Sequence, residues 1–260
     1  MFGIATGPDD IPATIPVLAF DEIDSTNLEA RRRAEAGETG PLWITAGVQT
    51  AGRGRRGRNW DTSRGNLAAT LLIVTDKSPA EAAQLSFVAA FAIRALAERY
   101  TPASLVRFKW PNDVMVDGRK LSGILIESGR NAAGLLWLAI GMGVNLAHAP
   151  ENLDRPATSI AAHLKAGEAA PPTPAEALAV LSEAFVRHAA AWLRAGFEPL
   201  RDEWLKGAAG IGQPCVARLD RETVEGVAEG LDRDGALLLR LPDRSLRRIS
   251  AGDIFFPQVA

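Results

Sequence analysis

Between Gln49 and Trp60 the chain reads Gln-Thr-Ala-Gly-Arg-Gly-Arg-Arg-Gly-Arg-Asn-Trp, which sets four arginines (Arg53, Arg55, Arg56, Arg58) among three glycines (Gly52, Gly54, Gly57). Glycine costs regular structure backbone entropy, and four neighbouring guanidinium groups are not buried without partners. The stretch therefore reads as a loop that handles negative charge, and an anionic ligand is the chemistry it suits. Its Gly52-x-Gly54-x-x-Gly57 spacing satisfies the dinucleotide fingerprint, with Asp76 near the position of a ribose contact. Context overrules that match. The glycine turn of a dinucleotide fold opens an apolar helix, whereas here charged residues fill the gaps and a strand is predicted from Leu67. No GxxxxGK(S/T) segment occurs, so a Walker-type phosphate loop is excluded as well. Cys215, His148, His163 and His188 are too scattered for a metal-ligand spacing, and no protein-held transition-metal site is expected.

The elements that must position this loop follow from pattern. An apolar strand at Val17–Phe20, after an irregular lead-in over residues 1–16, runs into Asp24-Ser25-Thr26-Asn27. Thr26 and Glu29 stand at capping-box spacing, so a helix is expected from about Asn27 to Gly37. Exposed amides and short polar side chains at its start suit a small polar ligand, and capping accounts equally for Thr26. Strands predicted at Leu42–Val48 and Asn66–Val74 anchor the arginine loop on a sheet. Pro79–Tyr100 repeats apolar residues at helical spacing and should cover the core.

Pro111 interrupts a strand, and Asp117-Gly118 is a hairpin turn that joins Val114–Val116 to Leu121–Glu127. A second hairpin passes through Gly129–Gly134 into Leu135–Ile140 and ends in Gly141-Met142-Gly143-Val144-Asn145. A short helix is expected at Thr158–Ala166. A longer one opens on Thr173, Pro174 and Glu176, with His188 on its apolar face and so packed, and a last helical piece lies near Pro199–Lys206. Antiparallel pairing through short turns, with helices collected elsewhere, predicts an α+β fold with a mixed central sheet over residues 1–208. Residues 209–260 read as four or five short strands, an all-β module too small to bury much alone and expected to dock on the main domain.

Composition agrees with a soluble globular protein: 47% of the 260 residues are hydrophobic and 23% charged. The net charge of -2 and pI near 6.0 set the arginine cluster apart from a balanced background, which disfavours non-specific nucleic-acid binding. One cysteine excludes an intramolecular disulfide. Neither a signal peptide nor a membrane-length apolar run is read, so the expected location is cytoplasmic and no membrane partner is expected.

Taken together, Gly-Arg-Gly-Arg-Arg-Gly-Arg-x-Trp, Lys109-Trp110-Pro111-Asn112-Asp113, Lys120-Leu121-Ser122-Gly123-Ile124, Gly141-x-Gly143-x-Asn145 and the early Ser25-Thr26-Asn27 resemble the biotin protein ligases in order and spacing. The resemblance covers nearly the whole chain. It implies a class II synthetase-like catalytic domain with an SH3-like C-terminal domain, activation of biotin by ATP to biotinyl-5'-AMP, and transfer to a lysine of the biotin carboxyl carrier protein domain of a carboxylase. On that resemblance Ser25, Thr26, Asn27, Gln49, Gly52, Arg53, Arg55, Lys120 and Gly123 would hold biotin. Arg55, Arg56, Arg58, Trp60, Asn112, Lys120 and Asn145 would hold ATP, with Trp60 stacked on adenine. Catalysis would fall to Arg53, Arg55, Lys120 and Asp113, and Asn112 and Asp113 would assist a hydrated Mg²⁺.

Trp110 and Pro111 suit a structural role as readily as a functional one, and Arg56 suits a solvent-facing one. The group that deprotonates the acceptor lysine is unassigned, with Asp113 and Lys120 as guesses. A loop so rich in glycine and like charge is expected to be mobile when empty and to order around the anionic intermediate. Some members of the family carry an N-terminal winged-helix domain; this chain enters its ligase strand by about Val17, so that domain and DNA binding are expected to be absent. Nothing in the residues decides between monomer and homodimer. The competing readings are a lipoate or octanoyl attachment enzyme, which shares the fold without the arginine loop, a nucleic-acid-binding protein without chemistry, and a nicotinamide oxidoreductase.

Overall fold

In a computed structural model of the chain, residue 12, residues 14–151 and residues 156–256 are described. Most of the lead-in expected over residues 1–16 lies outside them. Seven strands form the main sheet: β1 (Val17–Ile23), β2 (Leu42–Gln49), β3 (Leu67–Thr75), β4 (Val106–Lys109), β5 (Asp113–Val116), β6 (Arg119–Arg130) and β7 (Leu136–Val144). Their order is β1-β2-β3-β7-β6-β5-β4. Only β1 and β2 run parallel, and they are joined by the crossover helix α1 (Thr26–Glu35); the remaining neighbours are antiparallel. The mixed α+β sheet is the one the turn pattern predicts.

All nine residues of β3 are buried, because each face of this central strand is covered. Leu71 and Ile73 join the large core beneath α3 (Leu85–Tyr100) and α4 (Pro174–Ala195), while Leu72 and Val74 pack with Ala30 and Ala34 of α1. The helix expected over Pro79–Tyr100 breaks at Gln84 into α2 (Pro79–Ala83) and α3, and Ser78 with Glu81 forms the capping box at its start. Gln84 turns its amide to the buried Trp192 of α4, whose Nε1 donates to Oε1 at 2.8 Å. By length and composition Pro79–Tyr100 would pass as a membrane span, but 67% of that window is buried in the molecule, as a core helix requires.

Two local expectations give way to tertiary partners. Ser25, not Thr26, is the N-cap of α1, and the Thr26–Glu29 box does not form: Thr26 turns its hydroxyl towards β3, and Glu29 takes Arg32 and Arg33 at 2.9 Å each. The helix expected at Thr158–Ala166 shrinks to one 3₁₀ turn, Ile160–His163, because residues 157 and 158 extend alongside Lys120. The Thr173–Glu176 box forms on both sides as read. His188 is half-buried and stacked on Phe91 at 5.0 Å, with burial holding its pKa below the usual histidine range, which suits a packed side chain.

After α5 (Phe197–Lys206), five antiparallel strands close the chain: β8 (Pro214–Arg218), β9 (Thr223–Leu231), β10 (Leu237–Arg240), β11 (Leu246–Ile249) and β12 (Asp253–Phe255), in the order β11-β10-β9-β8-β12. Their apolar side chains Ala217, Leu237, Leu239 and Ile254 join the main core. Trp110 is buried and its Nε1 donates to the Gly235 carbonyl at 3.0 Å, so this side chain fastens the second sheet to the first. Cys215 sits in that seam, 3% exposed, and burial pushes its thiol up to about 11. We expect a thiol-specific reagent to label Cys215 at least a hundredfold more slowly in buffer than in denaturant; equal rates would show that the seam opens freely.

Candidate active site

The face of the sheet that α1 only partly covers is floored by small residues. Ala68, Gly143 and Gly123 stand side by side on β3, β7 and β6, and Gly141 lies two residues along β7. Where larger side chains would fill the space, this row leaves a cavity of about 970 Å³. Its walls come from the start of α1, the end of β2, the arginine turn, Asn112, Lys120, Asn145 and residues 150 and 151.

One end of the cavity is neutral and polar. The Thr26 amide donates to Gln49 Oε1 at 2.8 Å, and Gln49 Nε2 donates to Thr62 Oγ1 at 2.9 Å, which fixes the carboxamide. Ser25 is held from behind, since its amide donates to Asp24 Oδ1 at 2.7 Å. The Arg32 guanidinium beside Asp24 holds that carboxyl down to about 2. Asn27 spends its amide on the protein: Nδ2 donates to Glu127 Oε2 at 2.8 Å, and Oδ1 lies 2.7 Å from the Thr70 hydroxyl.

The other end is cationic. The arginine loop is folded back on itself, with Arg53 bridged to Asn59, the Gly54 amide donating to the Arg58 carbonyl at 2.7 Å, and Arg56 and Gly57 at φ of 56° and 69° in the left-handed region. Arg55 is half-buried and donates to Asn112 Oδ1 at 3.3 Å; burial lowers its pKa, and the guanidinium remains a cation at neutral pH. Arg56 does not simply face solvent. It pairs with Asp220 at 2.6 Å and Asp253 at 3.3 Å, and Arg58 reaches the same Asp253 at 2.9 Å. The second sheet therefore grips the loop from outside. Lys120 Nζ lies 2.7 Å from Asp113 Oδ1, close enough for an ion pair although not aligned as a hydrogen bond, and 5.6 Å from the centre of the Trp60 ring. Trp60 in turn lies flat on the backbone of Gly143, where an added Cβ would collide with the indole.

Residues 18–145 match the Biotin/lipoate A/B protein ligase family, and residues 210–256 match the biotin protein ligase C-terminal domain. Over 235 residues the chain is 42% identical to the biotin–[acetyl-CoA-carboxylase] ligase of Paracoccus denitrificans, covering 90% of this chain and 97% of that protein. The chain belongs to the biotin protein ligase family. It is also 32% identical to the ligase of the same description from Mycobacterium tuberculosis, over 88% of this chain and 85% of that one. Among solved structures it resembles the biotin protein ligase from Aquifex aeolicus in complex with biotin and ATP, with a TM-score of 0.74, 23% identity, and coverage of 92% and 97% of the two chains.

In this member of the biotin protein ligase family, Ser25, Thr26, Asn27, Gln49, Arg53, Arg55, Arg56, Arg58, Trp60, Asn112, Lys120, Gly123 and Asn145 all border the one cavity. Gly52 and Asp113 stand just behind its wall, Gly52 under the Trp60 carbonyl and Asp113 beneath Lys120. Reasoning from sequence missed Arg218, Asp253 and Phe255, which reach the cavity from the second sheet, and Thr62, Thr70 and Glu127, which orient its polar end. Nothing near them in sequence marks them. The oxygens expected to assist magnesium are already engaged: Asn112 donates Nδ2 to the Ile124 carbonyl at 2.7 Å and accepts from Arg55, and Asp113 faces Lys120. Among the described residues no cluster of three or more His, Cys, Asp or Glu could hold a metal ion. One carboxylate and one amide match an ion that keeps most of its waters, and not an all-protein cage.

Proposed function

We propose that this chain is a biotin–protein ligase that joins biotin to ATP and then passes it to a lysine of a carboxylase's biotin carrier domain. The observation that carries the reading is one cavity with a neutral polar end at Thr26 and Gln49 and a cationic end at Arg55 and Lys120. The names of the relatives support it. A carboxylate does not acylate an amine at neutral pH until its oxygen becomes a leaving group. In the first step a biotin carboxylate oxygen attacks the α-phosphorus, the bond to pyrophosphate breaks, and biotinyl-5'-AMP forms. In the second the lysine amine attacks the acyl carbon, AMP leaves and the amine gives up a proton.

The first step brings an anion against a polyanion, so fixed cations offset the repulsion and stabilise the charge on the transition state. Arg53, Arg55 and Lys120 are placed for this, and Trp60, an indole on the cavity wall beneath Lys120, is the side chain we assign to adenine. The need for ATP favours a cytoplasmic site of action. We divide the chain into a catalytic unit over residues 1–208 and an accessory β unit from residue 209 that steadies the arginine turn through Asp253. Pyrophosphate–ATP exchange with the purified protein tests the reading: exchange is expected with biotin, and exchange driven by lipoate or octanoate in its place would overturn it.

Arg53 offers a milder check. Its side chain is 40% exposed and its contact with Glu127 is 3.5 Å long, so the fold gains little from it. Arg53→Ala is expected to weaken biotin binding and speed loss of the adenylate at least tenfold with an unchanged melting temperature; unchanged biotin affinity and adenylate retention would remove Arg53 from the site.

A further inference from the structure

Thr26, Asn27 and Thr70 are 4%, 5% and 0% exposed, so their hydrogen bonds must be satisfied among themselves and by the cavity's occupant. Asn27 Nδ2 faces the Glu127 carboxylate at 2.8 Å and the Leu125 carbonyl at 3.3 Å, two acceptors that offer no proton. The amide therefore has one orientation, with Oδ1 towards Thr70. That oxygen lies 2.7 Å from Thr70 Oγ1, and only the threonine can supply the proton between them. A hydroxyl has one proton. The 2.7 Å contact between Thr70 Oγ1 and Thr26 Oγ1 must then be filled by the proton of Thr26. With its proton committed, Thr26 has none to give to Gln49 Oε1 at 3.1 Å, and the Thr26 amide supplies that acceptor at 2.8 Å.

We propose that Glu127, Asn27 and Thr70 are positioning residues that set the direction of this chain, so that Thr26 presents lone pairs and no proton to the cavity. The group it takes must be an N–H or O–H donor. On the ligase reading, on which this assignment of the ligand rests, that donor is a ureido N–H of biotin. A dithiolane or an alkyl chain has no such donor and would leave the Thr26 lone pair buried without a partner, so the chain is also a specificity device against lipoate and octanoate. The second Glu127 oxygen lies 3.5 Å from Arg53, which joins the device to the arginine turn.

Neutron diffraction on the unliganded, deuterium-exchanged protein tests the direction without any ligand. The Thr26 deuteron is expected on the line to Thr70 and the Thr70 deuteron on the line to Asn27; a Thr26 deuteron aimed at Gln49 or into the cavity overturns the proposal, whatever the protein binds. Titration with biotin tests the consequence. Thr70→Val keeps the shape and removes the relay, and is expected to raise the biotin Kd on the order of tenfold while the KM for ATP stays unchanged. Thr70→Ser restores the hydroxyl and should bind within about twofold of wild type. Should Thr70→Val unfold, Glu127→Leu on the half-exposed end of the chain is the substitute, expected to weaken biotin several-fold where Glu127→Gln does not. Wild-type biotin affinity in Thr70→Val or Glu127→Leu, or equal losses in the valine and serine variants, overturns the proposal. Failure of the wild type itself to bind biotin overturns the ligase reading and leaves the deuteron positions to decide this one.

Discussion

Lys120→Met is expected to slow adenylate formation by about 10²–10³-fold, the usual loss when one preorganised cationic donor is removed from a developing anion. The Lys120 ammonium lies at the mouth of the cationic end, 2.7 Å from Asp113 and over the Trp60 ring at 5.6 Å. Asp113 keeps it from swinging into solvent, and Trp60 sets its height above the floor. Removing the lysine has a second consequence. The Asp113 side chain is 8% exposed, and without Lys120 it becomes a buried charge that has lost its ion-pair partner and keeps only the weaker attraction of Arg55, where complete loss of compensation costs about 3–5 kcal/mol in typical cases. The two effects separate in a double variant. Lys120→Met with Asp113→Asn should recover the melting temperature and leave the exchange rate low. If the double variant recovers the rate as well, Lys120 serves folding and not chemistry. Lys120→Arg, which keeps the charge but not its compact shape, should fall between the two.

What was legible in the sequence is what local chemistry decides. The Asp117-Gly118 turn, with φ of 51° and 69°, and the Thr173–Glu176 capping box formed where the residue types demand them. The arginine stretch was legible as an anion-handling loop from composition alone. What it touches was not, because Asp253 lies nearly two hundred residues downstream in a strand whose pattern says only that it is a strand. The Thr26–Glu29 spacing misled for a related reason. A cap would use the threonine oxygen as an acceptor, but in the fold Ser25 stands at the N-cap, Arg32 and Arg33 take the Glu29 carboxylate, and the Thr26 hydroxyl lies 2.7 Å from Thr70, 44 residues away. The roles expected of Gln49, Trp60 and Asn145 came from the resemblance, and only the fold shows that they border one space. Residues that orient others, such as Glu127 and Thr62, carry no signature, since what gives each its role is a partner that only the fold brings beside it, Asn27 for Glu127 and Gln49 for Thr62.

Gly143→Ala is expected to raise the KM for ATP by about 5–150-fold, the range that loss of one base–aromatic stack spans, with biotin affinity much less affected. Gly143 is the next-to-last residue of β7, paired with Ala68 on one side and Gly123 on the other, so its backbone has little freedom to retreat. A single methyl group there would overlap the Trp60 indole, and the ring must move because the strand cannot. Trp60 has few places to go. Its amide is tied to the Gly52 carbonyl at 3.0 Å, and Lys120 stands over its ring, so a displaced indole tilts away from the adenine face and takes the cation with it. The neutral end is fixed by other contacts, Thr26 to Gln49 and Gln49 to Thr62, which is why the two substrates should respond differently. Exchange kinetics with each substrate varied in turn, alongside biotin titration, makes the comparison. Parallel losses for ATP and biotin would mean that the methyl group disturbs the sheet as a whole, and an unchanged KM for ATP would mean that adenine does not lie on Trp60.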